Sequence, residues 1–299
     1  MTLPADSRAG SAMIQVRAIG LEPGQLFLAD NITLRNDAVK RVLATGFDTA
    51  PIGPMRVRTY RSTIGGPVGA KNLDDTSIRV DKRGGRVIRT TLRAKTIHSI
   101  PAGNNGINTF RPLRRLGATS KRIDDACLAY RIRFDKHFDW SLGGKLPGLE
   151  GVAPGVAPSY PTGGTRPGSK GWSGRQMWVG PEAYSWAAPT NMGLNYMYGP
   201  DQASAYGDNI LWHRAFDRGR WHSVQVCYTL NTVGQADGVL QTWYDGQIVV
   251  RDTTWVYRTA GNVHINYLAW SVFRGGHTAA WAGKRTGYVE FDDLRVTAR

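Results

Sequence analysis

Acidic residues are in short supply. Against 38 Lys and Arg stand only 23 Asp and Glu in 299 residues, leaving a formal net charge of +15. That imbalance excludes an acidic, self-solvating chain and points to a polyanionic partner: nucleic acid, anionic lipid or acidic polysaccharide. A generally basic surface with no specific partner is the alternative. Cysteine is almost missing, with only Cys127 and Cys227. Two cysteines exclude a disulfide-dense scaffold; a bond between them is open, and so is the compartment. No run of roughly eighteen apolar residues exists, which excludes a membrane-spanning helix. Residues Met1–Met13 lack the apolar centre of a signal peptide, so either a leader has been removed or the chain is not exported by that route. Metal-ligand spacings of His, Cys, Asp and Glu are lacking too, so no metal or other cofactor is expected.

What is present fits a folded protein. Hydrophobic residues make up 41% and aromatics 10%, too much apolar surface for a disordered chain. The length suits one large all-β domain or two ordinary ones, with a sizeable core. Residues 1–13 read as a flexible lead, and Ile14–Arg35 is mixed, with a turn at Pro23-Gly24. Asn36–Thr45 is the best helix candidate, with Asn36 or Asp37 as cap, Val39, Val42 and Leu43 as its apolar positions, and Gly46 as its stop.

From Met55 the texture is that of strands. Met55–Tyr60, Ser77–Asp81 and Arg86–Leu92 alternate, with a turn at Lys82-Arg83-Gly84-Gly85. Residues 101–122 read as loop, with a basic cluster at Arg111, Arg114, Arg115, Lys121 and Arg122 that reads as ordinary solubilising charge, with contact to a polyanion as the alternative. In Asp124–Phe134, Leu128, Tyr130, Ile132 and Phe134 share one face; Cys127, Ala129, Arg131 and Arg133 share the other. Residues 150–171, rich in Gly, Pro and Ser, predict a long surface loop or binding rim. Strands follow over Trp172–Val179, Gly193–Tyr198, Trp221–Leu230, Val239–Tyr244, Gln247–Thr253, Val263–Phe273 and Gly287–Val296, with Asp245-Gly246 as a two-residue hairpin turn. Many short strands and almost no helix predict an all-β, two-sheet antiparallel sandwich, a β-jelly roll. Residues 1–70 read as an N-terminal extension, either separate or packed on the main domain, and residues 71–299 as the main, jelly-roll domain.

The stretch Gly143-Gly144-Lys145-Leu146-Pro147-Gly148-Leu149 stands out. Its glycines permit close backbone approach and Pro147 fixes the path, so it presents one cation, Lys145, on a rigid loop or bent strand. Strand parity adds Ser173, Arg175 and Met177 on one face, and Leu194, Tyr196 and Tyr198 on one face of the next strand. Beside Lys145 these make a concave cationic groove with phenol groups. On Trp221–Leu230 the valines read as core, and Gln225 as exposed or groove-lining.

In this order the motifs resemble polysaccharide lyase family 14, which includes alginate and glucuronan lyases. The resemblance runs from Gly143–Leu149 through Ser173-Gly174-Arg175, Asn195-Tyr196-Met197-Tyr198, Gly219-Arg220-Trp221-His222 with Gln225 and Asn231, Asp237-Gly238, Trp243-Tyr244-Asp245-Gly246, Phe273-Arg274-Gly275-Gly276 and Phe291–Val296. It covers roughly residues 75–299. It implies a jelly roll that cleaves uronic-acid polymers by β-elimination, with Lys145, Ser173, Arg175, Tyr196 and Tyr198 as the functional residues; Gln225 and Arg133 are added as substrate contacts. One departure is Glu150-Gly151 after the Gly-Leu pair, a carboxylate that would alter substrate choice if it reached the groove.

The chemistry suits these residue types. The C5 proton of a uronate becomes acidic only when the adjacent carboxylate is neutralised, a role for Lys145 and Arg175. A tyrosine near such cations is expected to have a lowered pKa, so Tyr196 or Tyr198 serves as base at C5, acid at O4, or both; Lys145 as base is the alternative. His213, His222 and His264 are further acid–base candidates. The expected partner is an acidic polysaccharide, met outside the cell by a monomer. A non-catalytic carbohydrate-binding jelly roll is the second reading and a nucleic-acid-binding β protein the third, the latter without a recognised motif. A glycoside hydrolase needs a placed carboxylate pair, and Glu182, Asp201 and Asp217 form none.

Overall fold

The computed structural model describes residues 40–64, 73, 75–98, 106–115, 122–181, 183 and 191–298. The chain divides into two compact units, Met1–Asp37 and Ala38–Arg299, and everything below belongs to the second. The lead, the Ile14–Arg35 stretch, the start of the expected helix, Lys121 and Glu182 lie outside the described residues.

The described elements begin with β1 (Lys40–Thr45), β2 (Gly53–Pro54), α1 (Val57–Thr63), β3 (Thr76–Val80), β4 (Arg86–Leu92) and β5 (Ile107–Pro112). The middle of the chain supplies β6 (Asp125–Phe134), β7 (Gly143–Val152), β8 (Gly171–Val179), β9 (Met192–Tyr198) and β10 (Asp208–Leu211). Then come β11 (Trp221–Thr229), β12 (Gly238–Tyr244), β13 (Gln247–Trp255), β14 (Tyr267–Arg274) and β15 (Gly287–Ala298).

Two antiparallel sheets result, the jelly-roll sandwich expected. The larger runs β13-β12-β11-β6-β15-β4-β3-β2, with β1 paired to the far end of β15. The smaller runs β10-β9-β8-β7-β14-β5. Their facing sides build one core: Leu128, Tyr130, Ile132 and Phe134 of β6 and Val224, Val226 and Tyr228 of β11 meet Trp172 and Trp178 of β8 and Leu268, Trp270 and Val272 of β14. Each fully buried Leu, Ile, Val or Phe among them contributes about 1.5–3 kcal/mol. Gln176 ties the layers together, accepting from Tyr130 Oη at 3.4 Å and donating to Tyr228 Oη at 3.0 Å. The Asp245-Gly246 hairpin is as expected, both residues taking positive φ (48° and 79°).

Several expectations are corrected. The expected helix at Asn36–Thr45 is, over its described part, strand β1 on β15. A register shift between Arg41 and Leu43 lets both Val42 and Leu43 pack toward the core, which imitates helical spacing. The reverse happens at Met55–Tyr60: α1 forms there, because Val57, Tyr60 and Ile64 fall on one helical face and reach the core. Residues 107–112 are strand β5, not loop, and Arg111 is fully buried there, its Nε donating to the Ile64 carbonyl at 3.3 Å. An arginine on the core side of the alternation hid that strand. β10 was also unforeseen, and β14 starts at Tyr267 rather than Val263.

Candidate active site

The outer face of the smaller sheet carries a cleft of about 770 Å³. Its floor is built from β7, β8 and β9, and its rims from residues 159–164, 204–209 and 273–281. Lys145, Arg175, Tyr196 and Tyr198 all line it.

Backbone geometry explains how β7 presents Lys145. Lys145 lies opposite Met177, and Gly148 opposite Arg175, with a register shift between Leu146 and Gly148. Pro147 is the extra residue of this bulge; its missing N–H suits a position outside the ladder. Because one residue is looped out, Lys145 and Gly148 lie on the same face although they are three apart. Gly148 is required by close approach: a Cβ there would lie 2.0 Å from the Gly174 carbonyl oxygen. Gly144 plays the same part beneath the strand, where a Cβ would lie 2.1 Å from the Trp178 ring.

Lys145 Nζ lies 2.8 Å from Met177 Sδ and 3.7 Å from the centroid of the Tyr196 ring. Burial, followed by repulsion from Arg175, holds its amine well below the usual lysine range. Arg175 is buried, with Nη2 donating to the Pro161 carbonyl at 3.2 Å and Nε without a hydrogen-bond partner among the described residues. Its guanidinium stands 5.9 Å from the Tyr198 ring centroid. Tyr198 Oη and Tyr196 Oη are 3.0 Å apart, their rings edge to face, and the Gly207 N–H donates to Tyr196 Oη at 3.3 Å.

The phenols do not behave as expected. Both are pushed up from the ordinary tyrosine range, by burial first; the pull of Arg175 opposes this and loses. The expectation of a lowered phenol pKa overlooked desolvation, which outweighs a cation at this distance. The resting site therefore pairs neutral phenols with a lysine biased toward its neutral amine.

The other expected residues lie elsewhere. Ser173 is fully buried beneath the rim, its Oγ donating to the Pro161 carbonyl at 2.9 Å, so it shares with Arg175 the task of holding residue 161 over the sheet. Gln225 and Arg133 lie on the larger sheet, on the face turned away from the core, and the structure does not bring them to the cleft. Arg133 is held there by Asp81 and Glu290, both at 2.6 Å. Glu150 does not reach the cleft either: it is fully buried opposite Ser173, its two oxygens have no hydrogen-bond partner among the described residues, and burial raises its pKa well above the carboxylate range.

Of the three histidine candidates, none lines the cleft. His222 and His264 bind Asp245 and Asp124 at 2.8 and 2.6 Å, and His213 is exposed. Two unforeseen histidines do line it, His98 and His277. His98 stacks on Phe273, the cross-strand neighbour of Lys145, at 4.3 Å. Its Nε2 lies 3.4 Å from Asn108 Nδ2, and Asn108 Oδ1 accepts from Ser271 Oγ at 2.7 Å. Burial and then Arg175 lower its pKa, which favours the neutral imidazole. His277 stacks on Tyr206 at the mouth, 6.1 Å between centroids. Both came from segments without periodicity, where only the Phe273-Arg274-Gly275-Gly276 motif gave a signal.

A family model described as Polysaccharide lyase 14 matches residues 80–294. Among curated proteins, the Exolysin of Paramecium bursaria Chlorella virus 1 is 26% identical in an alignment of 182 positions that covers 52% of this chain and 27% of that relative. The matched region thus spans about a quarter of that relative's length. Among solved structures, a marine alginate lyase from Aplysia kurodai is similar at a TM-score of 0.71 and 23% identity, covering 87% of this chain and 100% of that one. A double mutant of alginate lyase Aly36B, in complex with alginate tetrasaccharide, is similar at 0.68 and 24% identity, covering 86% and 96%. These likenesses establish a common fold.

Proposed function

The chain belongs to the polysaccharide lyase 14 family, and we propose that it cleaves a polyuronate, alginate first and glucuronan second, by β-elimination in the cleft of Lys145, Arg175, Tyr196 and Tyr198. One observation carries this reading: the Lys145 amine, its pKa depressed by burial and then by Arg175, lies over the Tyr196 ring, Tyr196 is hydrogen-bonded to Tyr198, and the buried Arg175 beside them has an Nε without a hydrogen-bond partner among the described residues.

Each group then has a role. Arg175 pairs with the uronate carboxylate and stabilises the charge that builds there as C5 loses its proton. The neutral amine of Lys145 takes that proton. The C5–H electron pair becomes the C4=C5 double bond, the C4–O4 bond breaks, and O4 takes a proton from the Tyr198–Tyr196 hydroxyl pair. A proton returning from the Lys145 ammonium to the phenolate restores the site. Of the two phenols, Tyr198 has the Arg175 guanidinium over its ring, 5.9 Å from the centroid, so it is assigned the proton transfer.

Secretion and a monomeric state belong to the same proposal; the Cys127–Cys227 disulfide supports an oxidising compartment. The test is a panel of alginate, polymannuronate and glucuronan, followed by the ultraviolet absorbance of unsaturated ends. Lys145→Ala and Tyr198→Phe should each lower the rate by about 10²–10⁴-fold. Binding without any absorbance rise would replace the proposal with a non-catalytic carbohydrate-binding jelly roll.

A further inference from the structure

Beside the cleft lies a second depression, of about 370 Å³, where four cations converge: Lys136, Arg218, Lys284 and Arg285. Elsewhere the guanidiniums of Arg89, Arg93, Arg133 and Arg258 are held by carboxylates at 2.6–2.9 Å. No ion pair joins these four cations to a carboxylate among the described residues. Arg218 is fixed in place, Nε donating to the Phe138 carbonyl at 2.7 Å and the guanidinium 5.3 Å from the Trp140 ring centroid.

The carboxylates at hand are engaged by backbone. Asp139 lines the depression, but Oδ2 accepts from the Lys284 and Arg285 N–H groups at 2.5 and 3.2 Å, and Oδ1 from the Ser141 N–H at 3.0 Å. Asp135 likewise accepts from the His137 N–H at 2.9 Å. Asp139 thus sets the main chain that carries two of the cations and leaves their side chains to solvent. Like charges gathered this way repel one another unless an anion sits among them.

The depression is close to the cleft. Trp281 lines the cleft and Lys284 the depression. Three residues of chain reach at most about 11 Å. Ser141 Oγ, donating to the Trp281 carbonyl at 2.6 Å, ties the two walls together.

We propose that this depression is an anchoring site for uronate carboxylates of the same polymer chain, beyond the residues that the cleft itself holds. The proposal rests on the polyuronate reading above. It predicts that long substrates, which extend past the cleft, depend on the four cations, whereas an oligosaccharide whose uronates are all seated in the cleft does not.

The test uses the full chain with Lys284→Gln/Arg285→Gln, and separately Lys136→Gln on the opposite wall; both leave the backbone contacts of Asp139 in place. Thermal melting checks that they fold. With polymannuronate, KM should rise about three- to tenfold with kcat unchanged; with a mannuronate tetrasaccharide neither should move. Retardation in a gel containing polymannuronate should weaken in parallel, and that readout needs no cleavage, so it separates failure of this site from failure of the lyase reading. Equal effects on polymer and tetrasaccharide, unchanged retardation, or retardation by duplex DNA and not by polymannuronate at physiological salt would each overturn the proposal.

Discussion

At the scale of single residues, the site turns on a competition between burial and charge. Arg175 depresses the Lys145 pKa and also opposes the rise of Tyr198. In the proposed mechanism the acid limb of kcat/KM reports Lys145 losing its proton, and the alkaline limb reports loss of the phenol proton. Removing the Arg175 charge raises both pKa values. Arg175→Gln is therefore expected to move both limbs to higher pH and to lower the maximal rate by about 10²–10³-fold. A pH–rate profile checks this; an acid limb that stays put would remove Lys145 from the role of base. Glu150 gives a second expectation, for stability. Its folded pKa is raised by burial, so the folded state holds a proton that the unfolded chain releases above about pH 4.3. Stability from this group is full below that pH and is lost as pH rises toward the folded pKa. Glu150→Gln should melt higher than the parent at pH 8, with the gap closing toward pH 4.

At the scale of elements, β7 decides whether the residues meet. Strand alternation alone was enough to put Arg175 with Met177, and Tyr196 with Tyr198, on shared faces, and both pairs are found there. It was not enough for Gln225 or Arg133, because alternation separates the two faces of a strand without saying which sheet the strand joins. Nor did it reveal the bulge at Pro147, a two-against-one pairing visible only once β8 lies alongside. The assignment at β1 fails for the same kind of reason, since one shifted register makes a strand look helical, whereas α1 reads as a strand because its alternation hides the helical face of Val57, Tyr60 and Ile64. Gly148→Ala tests the element directly. A Cβ 2.0 Å from a backbone oxygen cannot be relieved by a side-chain rotation, so β7 and β8 must part. We expect a loss of about 1–3 kcal/mol and a fall in kcat as Lys145 moves off the Tyr196 ring. Denaturant unfolding and steady-state rates measure the two effects. A variant with full stability and full activity would show that the close approach is not needed.

At the scale of the whole molecule, the strands of the cleft are enclosed by a bond that lies on the other sheet. Cys127 and Cys227 face each other across β6 and β11, with Cα atoms 4.0 Å apart and 100 residues between them in sequence. That covalent loop encloses β7, β8, β9 and β10, and so every strand that supplies Lys145, Arg175, Tyr196 and Tyr198. Closing a loop of this length restricts the unfolded chain, and removing the bond costs about 2–5 kcal/mol. The sulfurs lie on the outward face of the larger sheet, with the core between them and the cleft, so the bond contributes to stability and not to chemistry. Cys127→Ala/Cys227→Ala should therefore melt well below the parent while keeping its kcat at 25 °C, and reductant should lower the parent's melting temperature toward that of the variant. Thermal unfolding with and without reductant, paired with initial rates, tests both halves. An unchanged melting temperature would mean that the larger sheet holds β6 and β11 together unaided. A loss of kcat in a variant that is still folded would mean that the outer face of this sheet is coupled to the cleft through the core.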